Sequence, residues 1–160
     1  MKRAMFIGQA MPRRKSELHD WPSLNNWLYS RGITDKQIGK HFCYSALVDY
    51  FPGSKGGSHL VPTREEVGAE RGKLKTTLRK FDPEIVVPIG RLSIAYCLDR
   101  KVEPLKENIG NTYTADPYML YGIKLPIIPL PHPSGASTWR HDRVNKILLD
   151  KALDSLKRRL

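Results

Sequence analysis

Cysteine is scarce in this chain: Cys43 and Cys97 are the two among 160 residues. Two thiols exclude a disulfide-rich scaffold, and they cannot supply the four thiolates of an iron–sulfur cluster. Both cysteines have apolar sequence neighbours, and free cysteines in such surroundings behave as small hydrophobic side chains. We therefore expect two buried free thiols.

Long apolar runs are also absent, because no stretch approaches the roughly 20 residues that cross a bilayer. The first 15 residues, MKRAMFIGQAMPRRK, have a basic end, but their apolar stretch is too short for a signal peptide and charge returns at once. The sequence therefore predicts an intracellular, cytoplasmic protein with no membrane association.

Acidic residues are few, with 16 Asp and Glu against 27 Lys and Arg, so the formal net charge is +11. A basic excess of this size suits a polyanionic partner, because each phosphate that Lys or Arg neutralises releases counterions from nucleic acid. The alternative is a generally basic surface that serves no such partner. Charge thus indicates a nucleic-acid partner and says nothing about chemistry.

The length and the apolar pattern predict one α/β domain that spans residues 1–160. Four short apolar runs predict buried strands at residues 4–8, 41–50, 85–89 and 125–130. Helices are predicted at residues 21–31, from the capping box of Thr63 and Glu66 to Asp82, after Gly90, and along Val144, Leu148, Ala152 and Leu156. Residues 100–121 are predicted to be irregular. This alternation is typical of a three-layer α/β/α sandwich around a four-stranded, mostly parallel sheet.

Three of the four predicted strands are followed by unusual loops, with the sequences GQAMPRR, FPGSKGGS and HPSGAS. In parallel sheets, ligands bind beyond the carboxyl ends of the strands. We therefore expect these loops to converge on one cleft.

The first and last of these loops carry two motifs, GQAMP at residues 8–12 and HPS at residues 132–134. In this order, and each after a strand, they resemble the signature motifs of the uracil-DNA glycosylase superfamily. Those are a Gly-Gln-Asp-Pro or Gly-Glu-Ala-Pro type of loop and a His-Pro-Ser loop. Residues 81–90 are similar to the segment that precedes the third-strand loop of that superfamily. The resemblance spans nearly the whole chain.

The resemblance implies a monomeric DNA glycosylase that hydrolyses the N-glycosidic bond of uracil or another deaminated base, without metal or cofactor. The departing base gains negative charge, so the catalyst must stabilise an anion and position water at the sugar carbon. His132 is suited to donate a hydrogen bond to one base carbonyl, and the backbone amides of Gln9 and Ala10 to bind the other. The base must first leave the DNA stack, and Trp21 or Phe51 would then stack against it.

The resemblance assigns further residues to the base and to DNA. Gly8 and Ser45 join the base site. The expected DNA contacts are Arg13, Arg14, Lys55, Arg91, Ser134, Gly135, Ala136, Ser137, Trp139 and Arg140. Taken singly, a basic run such as residues 13–15 is most often a solvated loop, and serines such as these are ordinary turn residues.

The chain departs from the family pattern at several positions. Ala10 stands where the best-known members carry a water-activating Asp, and Met11 is an apparent insertion. Ser45 occupies the position where many members place an Asn that reads the uracil edge, and Ala136 stands where a bulky Leu often wedges into the duplex. We therefore expect a branch without the motif-one Asp and without an iron–sulfur cluster.

Two other functions remain open at this point. One is a non-catalytic nucleic-acid-binding protein on the same fold. The other is a hydrolase of free nucleosides or nucleotides, which would leave the large basic excess unexplained.

Overall fold

A computed structural model describes residues 1–11, 21–56, 58–133 and 138–160, without the side chains of residues 58 and 59. Within these ranges the chain forms seven strands and five α-helices. The strands are β1 Ala4–Ala10, β2 Phe42–Val48, β3 Ser54–Lys55, β4 Ser58–His59, β5 Ile85–Pro88, β6 Tyr113–Ala115 and β7 Leu125–Ile127. The helices are α1 Pro22–Tyr29, α2 Asp35–His41, α3 Arg64–Phe81, α4 Gly90–Leu98 and α5 Arg143–Arg159.

Five of the strands form one sheet in the order β2-β1-β5-β7-β6. Strand β1 runs parallel to β2 and β5, and β5 runs parallel to β7. Strand β6 pairs antiparallel with β7 at one side of the sheet. The four parallel strands therefore end at the same edge, which we call the carboxyl edge.

Helices cover both faces of this sheet. On one face, called the α1 face, Phe6 packs in a core with Leu24 of α1, Ile38 of α2 and Leu153 of α5. On the opposite face, called the α3 face, Met5 and Ile7 pack with Val67, Leu74 and Leu78 of α3. No residue from Ala4 to Ile7 is more than 1% exposed, as expected of a central strand covered on both faces. The expected three-layer α/β/α sandwich is confirmed.

The sheet has five strands where the sequence predicted four. The fifth, β6, lies in the stretch predicted to be irregular, and its three residues pair with β7 at the edge of the sheet. Strand β1 runs two residues beyond the predicted end, because Ala10 pairs with Val48 of β2. The loop FPGSKGGS contains the short antiparallel hairpin of β3 and β4.

Helix α2 was not predicted, and α3 was. The Thr34 hydroxyl accepts a hydrogen bond from the Gln37 amide and the Gln37 side chain accepts one from the Thr34 amide, so a capping box begins α2. The same arrangement of Thr63 and Glu66 begins α3, which ends at Asp82 in the left-handed conformation. Within the described ranges, no helix combines the length and the apolar character needed to cross a membrane.

Candidate active site

The described parts of the two sequence motifs, residues 8–11 and 132–133, lie at the carboxyl edge with one strand between them. The amide of Ile89, just after β5, donates to the Ile7 carbonyl of β1 over 2.9 Å. On the other side of β5, the Leu130 amide donates to the Pro88 carbonyl over 2.9 Å. These bonds place residues 8–10 and His132 on either side of the end of β5 along the same edge, as the parallel topology requires.

His132 is exposed, and both flanking prolines, Pro131 and Pro133, are buried. Its ring lies beside the start of α4, since a Cβ built on Gly90 would lie 4.0 Å from Cδ2 of His132. Gly90 has φ +84, a conformation that favours glycine, and its amide donates to the Leu130 carbonyl over 2.9 Å. The histidine therefore projects from a backbone fixed on both sides.

Arg140 forms a hydrogen bond to the backbone just after His132. Its Nη1 donates to the Pro133 carbonyl over 2.8 Å from the 3-10 turn Trp139–His141. Trp139 is half-buried against the core of the α1 face, and its carbonyl accepts a hydrogen bond from the Asn145 side chain over 2.9 Å. Both residues thus have structural contacts beside the second motif, and their predicted DNA contacts stay predictions.

Helix α4 begins at this same edge. Among the described residues no side chain caps its first turn, and amides at a helix N-terminus without such a cap favour an anion. The buried Ser93 hydroxyl donates to the Ile7 carbonyl over 2.5 Å, which ties α4 to the residue just before Gly8. The start of α4 is therefore fixed relative to the first motif.

Four aromatic rings stack side by side on the α1 face near the first motif. The ring centroids are 5.5 Å apart for Phe42 and Phe6, 5.0 Å for Phe6 and Tyr44, and 5.5 Å for Tyr44 and Trp21. Trp21 is the outermost ring and is half-buried. Its Nε1 is buried and has no hydrogen-bond partner within the described part of the chain.

The position of Tyr44 in this stack is fixed by a hydrogen bond to Asn25 of α1. The Tyr44 hydroxyl donates to the Asn25 side-chain oxygen, and Asn25 is 3% exposed. Burial raises the pKa of the Tyr44 phenol well above its ordinary value, so the hydroxyl keeps the proton that it donates. The sequence reasoning missed this pair, although a polar Asn25 directly beside the apolar Leu24 of a predicted helix was a usable signal.

The structure does not bring Ser45 together with Trp21. The strand register pairs Ser45 with Ile7, and the neighbouring Cys43 and Leu47 belong to the α3 face. Trp21 and Tyr44 pack on the opposite face. A base-reading role for Ser45 stays a prediction, and this register does not favour it.

The other predicted residues are spread along the loops and α4. Phe51 is half-buried just after β2, and Lys55 is exposed on β3. Arg91, in the first turn of α4, pairs with Glu103 over 2.8 Å, and more than half of each side chain is exposed. Arg13, Arg14, Ser134, Gly135, Ala136 and Ser137 lie outside the described residues.

Both cysteines are free, as expected. Cys97 is buried and Cys43 is half-buried, a small correction to the expectation that both are buried. Burial raises the pKa of the Cys97 thiol to about 12. In the described ranges, no three His, Cys, Asp or Glu side chains are grouped so that they could hold a metal ion.

Comparison with known proteins adds one positive finding. A family model for the uracil DNA glycosylase superfamily matches residues 2–157 of the chain. No curated protein matches the chain.

Proposed function

The chain belongs to the uracil DNA glycosylase superfamily, and on this premise we propose that it hydrolyses the N-glycosidic bond of uracil or another deaminated base in DNA. Membership supports a DNA glycosylase-type function, and the choice of base is our proposal. The observation that supports it is the carboxyl edge, where an exposed His132 lies beside the start of α4, on the same edge at which β1 ends.

In the proposed mechanism, His132 donates a hydrogen bond to the base carbonyl on which negative charge develops. Such a donor acts most strongly in the transition state, because the charge on the base grows as the glycosidic bond breaks. Arg140 acts as a positioning residue, since its bond to the Pro133 carbonyl fixes the backbone that carries His132. The backbone around Gln9 and Ala10 would bind the second base carbonyl.

Trp21 would provide the apolar surface for a base that has left the DNA stack. It is the outer ring of the four-ring stack, and Tyr44 behind it is anchored by Asn25. On β1, the Phe6 ring of this stack is only two residues from Gly8, or about 7 Å along a strand. A fixed ring at this place costs little entropy when the base binds.

DNA phosphates would bind along the same edge. The uncapped first turn of α4, Lys55 and Arg91 contribute positive charge to a chain of net charge +11. The ion pair of Arg91 with Glu103 is exposed, and such pairs contribute little, so Arg91 can exchange its carboxylate for a phosphate. We extend the same proposal to Arg13, Arg14 and residues 134–137.

One observation favours a second candidate, a nucleic-acid-binding protein without catalysis. Ala10 cannot activate water as a carboxylate would. Under this alternative the carboxyl edge binds DNA, and His132 contributes to binding rather than to bond cleavage.

A glycosylase assay separates the two candidates. Wild-type protein is incubated with single- and double-stranded oligonucleotides that carry one of several deaminated bases, with unmodified strands as the control. We expect release of at least one deaminated base and none from the control strands. Binding that falls steeply with salt but releases no base would support the non-catalytic candidate.

A further inference from the structure

A pocket opens on the α3 face, and its lining contains no residue of either sequence motif. It has a volume of about 410 Å³, which lies within the usual range for ligand sites of about 300–1,000 Å³. Its walls come from the first residue of α3, the second half of α4 with the two residues that follow it, and the 3-10 turn Pro117–Met119. The charged, aromatic and rim residues of its lining are Arg64, Tyr96, Asp99, Arg100, Tyr118 and Met119.

Two arginines line the pocket. Across the described part of the chain, neither Arg64 nor Arg100 forms an ion pair, whereas ion pairs are formed elsewhere by Arg3, Arg31, Lys73 and Arg91. Arg100 lies over the ring of Tyr113, with its guanidinium carbon 5.1 Å from the centroid. Arginine binds phosphate oxygens through paired N–H donors, so this pair suits a phosphate group.

Two tyrosine rings form the apolar part of the wall. Tyr96 and Tyr118 contact each other with their centroids 5.1 Å apart and tilted by 55°. Arg71 lies over the Tyr118 ring at 5.2 Å, and its Nη2 donates to the carbonyls of Tyr118 and Met119 over 3.3 and 3.2 Å. The ring wall is therefore fixed before any ligand binds.

The turn that carries this wall is strained. Tyr118 and Met119 have φ of 53 and 52, a left-handed conformation that is unfavourable for a residue with a side chain. Arg71 holds both carbonyls in this conformation. Strain of this kind is concentrated at ligand sites, and here it directs Tyr118 into the pocket wall and leaves Met119 65% exposed at the rim.

We propose that this pocket binds one nucleotide unit, with its phosphate on Arg64 and Arg100 and its base against Tyr96 and Tyr118. Asp99 supplies a hydrogen-bond acceptor for an amino or hydroxyl group of the ligand. Stacking of bases on aromatic side chains accepts any base, because every base has a π-face. The proposal goes beyond the glycosylase proposal and does not depend on it, since none of these residues belongs to the carboxyl edge.

The test is a titration of the isotope-labelled full chain with deoxyadenosine monophosphate, followed by amide NMR. The pocket variant is Arg64→Gln with Arg100→Gln, and the matched control is Arg79→Gln with Lys106→Gln, two exposed cations outside the pocket. We expect amide shifts at residues 95–100, 118 and 119, and a dissociation constant raised about tenfold or more in the pocket variant alone. Deoxyadenosine and inorganic phosphate should each bind more weakly than the nucleotide.

The result that overturns the proposal is an absence of shifts at these residues, shifts confined to the carboxyl edge, or equal affinity in the pocket variant and its control. A single-stranded oligonucleotide then identifies the source of the nucleotide. If it competes with the monophosphate, and the pocket variant binds it more weakly than the control does, the nucleotide belongs to DNA. If the pocket variant binds the monophosphate more weakly than the control does but binds the oligonucleotide equally well, the ligand is a free nucleotide.

Discussion

The aromatic stack allows stability and activity to be changed separately. Tyr44→Phe keeps all four rings but removes the hydroxyl that donates to Asn25. Because Asn25 is 3% exposed, water cannot readily replace this donor, and the loss should lower the free energy of unfolding by about 1–3 kcal/mol. The surface offered to the base is unchanged, so we expect base release close to the wild-type rate.

Trp21→Ala, unlike Tyr44→Phe, should lower activity as well as stability. Losing the contact with Tyr44 removes about 0.5–1.5 kcal/mol beyond the area buried, while the base loses a stacking partner worth about 1–3 kcal/mol. The second loss corresponds to about a 5- to 150-fold decrease in catalytic efficiency. Urea unfolding followed by circular dichroism measures the first effect, and single-turnover base release measures the second. The assignment of Trp21 as the stacking surface is refuted if Trp21→Ala releases base as fast as wild type. It is also refuted if folded Tyr44→Phe loses as much activity as Trp21→Ala does.

Three further predictions concern α3 and the thiols. Thr63→Ala should lower the free energy of unfolding by about 0.5–2 kcal/mol in urea, whereas Thr76→Ala, exposed in the middle of α3, should change it little. The hydrogen bond from the Thr63 amide lowers the pKa of Glu66. The stability that this hydrogen bond contributes is therefore present at neutral pH and is lost as the pH falls through the lowered value. Glu66→Gln should make the free energy of unfolding less dependent on pH below about 4.5. Because burial raises the pKa of both thiols, to about 12 for Cys97, a thiol reagent at neutral pH should label the native protein slowly and both cysteines rapidly after unfolding.

The sequence predicted the architecture because its strongest signals are local. The run at Ala4–Ile7 is apolar at every position, which indicates a strand covered on both faces. The capping box of Thr63 and Glu66 and the Asp82-Pro83 stop define α3 to within a residue. The carboxyl edge follows from the parallel arrangement, and it places the two motifs without further information.

The elements that were missed have weak local signals. Helix α2 has one buried residue, Ile38, and is seven residues long, so its periodicity is too short to detect. Strand β6 exists through its pairing with β7, and the last two residues of β1 extend through pairing with β2. Such pairing depends on partners that are distant in sequence.

The sequence alone could not assign the β2 side chains to the base site, because that assignment depends on which face of the sheet each residue occupies. Ser45 and Tyr44 are adjacent in sequence but point to opposite faces of the sheet, because side chains alternate along a strand. A motif match that is uncertain by one residue therefore exchanges the two faces. The contact of Tyr44 with Trp21 joins residues from different elements, and local pattern alone does not predict such a contact.

His132 at the carboxyl edge is the proposed catalytic residue, and His132→Ala tests that role most directly. The control is His141→Ala, an exposed histidine of the neighbouring 3-10 turn. For each variant, DNA affinity and the single-turnover rate of base release are measured on the preferred substrate. We expect His132→Ala to lower the rate by about a hundred- to a thousandfold with little change in affinity, and His141→Ala to match wild type. Base release by His132→Ala at the wild-type rate would contradict the central claim.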